Sequence, residues 1–195
     1  MISKFKIAVS GAAVTDCCAP GATLLAEEVG REIVRQGCIL ITGATTGIAH
    51  YAARGTKKEG GVSIGFSPAV SEAEHSRSYK LPTDVFDVIV YTGFDYTGRD
   101  LLMTRAADGV IIICGRIGTL HEFTVAFEDQ KPIGVLEGSG GTADKIWELS
   151  TGPHRGIKKI VFNKDPKKLV ASLIKLIEKE KRPNKDLRTK NIKIR

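Results

Sequence analysis

The sequence predicts an α/β chain with a Rossmann-like, doubly wound, mostly parallel sheet of about seven strands and helices on both faces. Two observations carry this prediction. Short β-branched runs alternate with longer stretches of helical character along most of the chain. The runs are also apolar on both faces, as in ILIT and VIIIC, which suits strands covered by helices above and below.

Strands are predicted at Phe5–Ser10, Cys38–Thr42, Val62–Phe66, Asp87–Tyr91, Gly109–Ile113, Pro132–Leu136 and Lys159–Phe162. Helices are predicted at Gly21–Gln36, Thr46–Glu59, Gly98–Ala106, Gly118–Gln130, Thr142–Leu149 and Asp165–Lys181. The first helix has Pro20 at its start and Gly37 as its C-cap, with Leu25, Val29 and Ile33 as a buried stripe. Ser71–Thr83 lacks clear periodicity and reads as an irregular excursion of lid type. Gly138-Ser139-Gly140-Gly141 reads as a flexible loop. Residues 1–181 form one nucleotide-binding domain in this reading, and 182–195 form a basic tail outside the core.

With 42% hydrophobic and 26% charged residues, the composition is that of a globular chain. No apolar run approaches the roughly 20 residues needed to span a bilayer, and the start reads as a first strand rather than a signal peptide. The net charge is +7, but Lys179 to Arg195 contains eight basic and two acidic residues. The remainder is nearly neutral, so nucleic acid is not an expected partner. Cys17, Cys18, Cys38 and Cys114 form no C-x-x-C and match no zinc spacing. They predict a reduced, cytoplasmic chain in which Cys17, Cys18 and Cys114 are small packing residues near strand ends. A thiol or metal role is the alternative for those three.

Ligands of open α/β sheets gather beyond the carboxyl ends of the strands. Three loops rich in small residues fall there: Ser10-Gly11-Ala12-Ala13, Thr42-Gly43-Ala44-Thr45-Thr46-Gly47, and Cys114-Gly115-Arg116-Ile117-Gly118-Thr119. Glycine admits phosphate oxygens close to backbone N–H groups, and a helix starting near Gly118 offers unpaired donors and a partial positive charge. Thr119 supplies a hydroxyl to the ligand or caps the helix. The chain lacks a Walker loop, a G-x-G-x-x-G after its first strand, a G-x-S-x-G elbow and H-E-x-x-H. Glu122 is either an acid favoured by the helix dipole or a ligand-site residue. Arg99, a cation near a helix start, is open to a ligand role.

Gly115-Arg116-Ile117-Gly118-Thr119-Leu120-His121-Glu122 resembles the P-G-G-x-G-T-x-x-E signature of the LOG family, once labelled lysine decarboxylase. Arg99 to Met103 resembles that family's R-K-x-x-M segment, the Thr42–Ile48 turn its glycine-rich loop, and Gly60-Gly61-Val62 its G-G-x. The similarity spans roughly residues 5–136. It implies a homodimer that hydrolyses the N-glycosidic bond of nucleoside 5′-monophosphates, with Arg99 and Glu122 as catalytic pair and no required cofactor. Cys114 replaces the motif's proline, Arg116 its second glycine, and Asp100 its lysine. These departures are closer to a divergent branch that includes molybdenum-cofactor carrier proteins, and they imply the alternative of a non-catalytic nucleotide or cofactor carrier.

Overall fold

The computed structural model describes residues 5–151 and 159–181, and the basic tail lies outside them. Seven strands form one sheet: β1 (Lys6–Gly11), β2 (Ile39–Thr42), β3 (Ser63–Ser67), β4 (Val88–Tyr91), β5 (Gly109–Ile113), β6 (Ile133–Leu136) and β7 (Ile160–Asn163). Their order is β4-β3-β2-β1-β5-β6-β7, with every neighbour parallel. The chain winds outward from β1 to β4, then crosses back to β5 on the other side of β1. The loops leaving β1 and β5 therefore diverge, and a crevice opens between them.

Alternating residues of the central strands feed two cores. Ile7, Val9, Ile111 and Ile113 face α1 (Ala22–Arg35), α2 (Ile48–Lys58) and α7 (Pro166–Lys181). Ala8, Val110 and Ile112 face the layer containing α4 (Asp95–Ala106), α5 (Ile117–Glu128) and α6 (Ile146–Ser150). Burial of strands on both faces is why their sequences read as continuous apolar runs.

Helix α1 ends as its glycine predicts. Gly37 has φ 73°, its N–H donates to Val34, and the Cys38 N–H donates to Ile33, which is the Schellman pattern. The buried stripe is Ala22, Ala26, Val29 and Ile33, whereas Leu25 is only half-buried. Small residues are needed there because α1 packs closely on α2. A Cβ on Gly30 would overlap the Ala52 carbonyl oxygen, and one on Gly55 that of Glu27. Glu27 is buried at this contact and accepts from Arg31, Arg54 and Lys58. The Lys58 ammonium and the two guanidiniums hold its carboxyl at about 2 against the opposing effect of burial.

Three expectations are corrected. The excursion after β3 contains α3 (Glu72–Arg77), capped where Ser71 Oγ accepts from the Glu74 N–H. Its buried His75 bonds Ser67 Oγ at 2.8 Å and Pro82 O at 3.0 Å, so the segment is pinned to the body rather than free as a lid. Helix α4 starts at Asp95, three residues earlier than predicted, which moves Arg99 into its second turn. The stretch from Thr142 is a short 3-10 turn, Ala143–Lys145, running into α6. Among the described residues, no helix is long and apolar enough to cross a membrane.

Candidate functional site

The crevice between the β1 and β5 loops is a cavity of about 210 Å³. It lies below the roughly 300 Å³ of pockets that enclose a whole drug-sized ligand. It can therefore hold a sugar-phosphate-sized portion and leave the remainder outside.

Of the sequence-predicted residues, Ser10, Gly11, Gly43 and Thr45 line this cavity from the first two loops. Arg116, Gly118 and Thr119 line it from the third, with Arg99 and Glu122 between them. Thr42, Ala44, Gly47, Gly115 and Ile117 are not in its wall. Thr42 Oγ1 instead accepts from the Ala44 N–H at 3.3 Å, which shapes the second turn. A Cβ on Gly47 would overlap the backbone of Ala12 and Ala13, so this glycine lets α2 start against the β1 loop. Gly115, at φ 103°, leaves room for the Thr119 side chain. Ile117 is 79% exposed and lies outside the wall.

Arg116 is the N-cap of α5, and its carbonyl accepts from the Leu120 N–H. The cap is thus not Thr119. The N–H groups of Ile117, Gly118 and Thr119 belong to the first turn, where an α-helix provides no internal acceptors. A Cβ on Gly118 would meet only open space, so a ligand can approach that amide directly. The Arg116 side chain is half exposed and stands 3.7 Å from Asp16 across the mouth.

The loop after β6 braces this turn, correcting its prediction as flexible. Ser139 is fully buried; its Oγ accepts from the Cys114 N–H at 2.8 Å and donates to the Leu136 carbonyl. Asp144 accepts from the Gly138 and Gly140 N–H groups. The Thr142 and Ala143 N–H groups donate to the carbonyls of Gly115 and Cys114. These braces fix the backbone of Cys114, which has φ 53° and is held in the left-handed region.

The floor of the cavity is ionic. Arg99, Asp100 and Glu122 are 5%, 4% and 6% exposed. Arg99 Nη1 lies 3.7 Å from Glu122 Oε1, and Arg99 Nε lies 3.3 Å from Asp100 Oδ1. Asp100 Oδ2 also pairs with His121 Nδ1 at 3.0 Å, and the Ser10 hydroxyl hydrogen-bonds Glu122 Oε2. One guanidinium therefore faces two buried carboxyls. Burial pushes the Glu122 carboxyl far above the ordinary carboxylate range; Arg99 opposes that shift and Asp100 adds to it. Burial thus biases the Glu122 carboxyl toward its neutral form.

Ala12 and Ala13 of the predicted first loop also line the wall, whereas sequence reasoning missed Tyr96 and Ala49 there. It also read Asp100 only as a departure from a motif. Tyr96 places its ring 5.7 Å from the Arg99 guanidinium. The cysteine prediction is corrected too. Cys18 and Cys114 form a disulfide across 96 residues, with Cys17 Sγ 3.7 Å from Cys114 Sγ. Packing residues were expected there; the fold instead brings sulfurs far apart in sequence to bonding distance.

Fold and crevice together define a Rossmann-like protein with its candidate site at the topological switch point. The chain belongs to the SLOG cluster4 family, whose model matches residues 4–170. It is 26% identical to an uncharacterized protein of Archaeoglobus fulgidus over 113 residues, 58% of this chain and 69% of that one. The molybdenum cofactor carrier protein of Chlamydomonas reinhardtii superposes with a TM-score of 0.72 at 26% identity, covering 90% of this chain and 99% of that chain. The molybdenum cofactor binding protein of the phototrophic bacterium Rippkaea orientalis gives 0.71 at 26%, covering 91% and 99%. These matches agree with the divergent branch expected from Cys114 and Arg116.

Proposed function

We propose that this protein binds a phosphorylated, nucleotide-like ligand and holds it without turnover. The phosphate sits against the amides of Gly118 and Thr119, with Arg116 as a cationic clamp at the mouth. The observation that carries the absence of turnover is the pairing of Glu122 with Asp100 around a single Arg99. Cleavage of a glycosidic bond builds positive charge on the ribose, and a neutral carboxyl gives that charge little stabilisation. The protonated Glu122 is instead a hydrogen-bond donor to the ligand.

The similarity to molybdenum cofactor carriers supports that cofactor as a candidate ligand. The residues present suit its phosphate: Gly118 leaves the amide approach open, and Arg116 supplies charge. When bound, the cofactor supplies redox chemistry to whichever enzyme receives it. The chain's own groups bind and orient it. The proposal includes a homodimer in the cytoplasm; Phe94 and Leu102, exposed on and beside α4, offer apolar surface for the second copy.

A second reading, phosphoribohydrolase, is supported by Arg99 and Glu122 lining one cavity. Calorimetry with AMP, paired with chromatography for free adenine, separates the two. Binding without adenine release supports the carrier. Adenine release abolished by Glu122→Gln establishes the hydrolase instead. Failure to bind AMP or any other phosphorylated nucleotide or pterin overturns both.

A further inference from the structure

Cys17, Cys18 and Cys114 converge beneath the third loop, where their three Sγ atoms all lie within 4.8 Å of one another. We propose that, once the disulfide is reduced, these sulfurs form a three-thiolate site for a thiophilic d¹⁰ cation of the zinc(II) class. The proposal is independent of the ligand reading, since none of the three cysteines lines the cavity.

Geometry is the first support. With zinc–sulfur bonds of about 2.3 Å in a tetrahedron, neighbouring sulfurs stand about 3.8 Å apart. Cys17 Sγ and Cys114 Sγ are 3.7 Å apart, one edge of that tetrahedron. Cys18 reaches Cys114 closely enough to bond it, so reduction leaves Cys18 Sγ needing only to rotate away to complete the face.

Position is the second. Cys114 is held by the Ser139 brace and lies just before the N-terminus of α5, whose partial positive charge favours a thiolate. Cys17 and Cys18 are half-buried in and after the short 3-10 turn Thr15–Cys17. Cys17 Sγ has weak contacts in the oxidised form, to Cys114 Sγ and to the Gly115 carbonyl at 3.8 Å. Three protein ligands leave a fourth position for water or another donor.

The redox step balances with an external dithiol or phosphine. A dithiol delivers two electrons and two protons to the Cys18–Cys114 bond and becomes a disulfide itself; a phosphine delivers the two electrons, takes the oxygen of one water to become the phosphine oxide, and leaves that water's two protons on the thiols. Cation binding then displaces the thiol protons.

The test uses the full chain reduced with a phosphine, with cobalt(II) as spectroscopic probe for zinc(II). One cobalt per chain is expected, with sulfur-to-cobalt charge transfer, tetrahedral visible bands, and loss of both on adding zinc(II). Cys17→Ser and Cys18→Ser each weaken binding at least about tenfold. Cys38→Ser, at a cysteine buried in the core away from the cluster, leaves it unchanged. Oxidised protein shows no such bands. Absence of the charge-transfer band in reduced protein, or a spectrum and affinity unaltered by Cys17→Ser, overturns the proposal.

Discussion

Arg99 lies so tightly over Gly43 that a Cβ at that glycine would overlap its Nη1. The second loop thus contributes to the site by leaving space for a guanidinium that arrives from α4. A methyl there can be admitted only if the guanidinium, the end of a flexible side chain, moves aside. Gly43→Ala is expected to push Arg99 off Glu122 and Asp100 and raise the AMP dissociation constant at least roughly tenfold, ~1.4 kcal/mol. Calorimetry reads this directly. Unchanged affinity would show that Arg99 has no part in binding.

The raised pKa of Glu122 has a stability consequence with a definite sign. An unfolded glutamate ionises near 4.5, whereas the folded carboxyl keeps its proton to much higher pH. The stability this group contributes is therefore fully present below about 4.5 and is lost as pH rises toward its folded value. Glu122→Gln removes the titration. The melting temperature of the variant relative to the parent should rise steadily from pH 5 to pH 8. A constant difference across that range would show Glu122 to be ionised in the fold.

Asp100 can be separated from Glu122 experimentally. Its charge raises the Glu122 value, so Asp100→Asn should lower it, as removing a neighbouring like charge does. NMR titration of a ¹³C-labelled Glu122 carboxyl gives the midpoint. The same variant also loses the charged partner of His121. A Glu122 midpoint that does not fall would mean that burial alone sets it.

Arg116 replaces a glycine of the signature and stands half exposed at the mouth, paired loosely with Asp16. Solvent screens the exposed pair with Asp16, so it holds Arg116 only weakly and leaves the guanidinium able to turn to a phosphate. Arg116→Ala should weaken phosphate-bearing ligands about three- to tenfold and flatten the dependence of affinity on salt. Arg116→Lys should recover the salt dependence but only part of the affinity, since lysine lacks the bidentate fork. A tighter-binding alanine variant would mark Arg116 as an obstruction.

The sheet was legible because both-face burial writes itself into contiguous sequence. All seven strands appear within a residue or two of their predicted ends. The short α3 was missed because six residues with Ala73 as their one apolar member carry no apolar period, although Ser71 and Glu74 hold the S-x-x-E spacing that signals a helix start. Three small-residue loops did mark the cavity, but their glycines serve different purposes. Gly118 opens onto the ligand space, while Gly11 makes room for Ile113 and Ile48. One-dimensional spacing does not separate these cases. Nor could it find the Ser139 brace or the Cys18–Cys114 bond, which join distant parts of the chain.

Two glycine-to-alanine substitutions on helices should have separable effects on stability and binding. Alanine in place of glycine within a helix gains about 1 kcal/mol from backbone propensity alone. At Gly55 the added methyl overlaps the Glu27 carbonyl at the contact of α1 and α2, and overpacking of this kind costs roughly 1–3 kcal/mol. Because the clash is with backbone, α1 itself must shift and carry the buried Glu27 cluster with it. The overlap should win, and the melting temperature of Gly55→Ala should fall by several degrees, given roughly 2–4 °C per kcal/mol at this size. At Gly118 the same methyl meets open space, so Gly118→Ala should melt no lower than the parent. Its methyl stands instead where the ligand approaches the helix amide, and AMP affinity should drop. Thermal scans with and without AMP distinguish the pair: Gly55→Ala starts from a lower midpoint and keeps its ligand-induced rise, while Gly118→Ala keeps its midpoint and loses the rise.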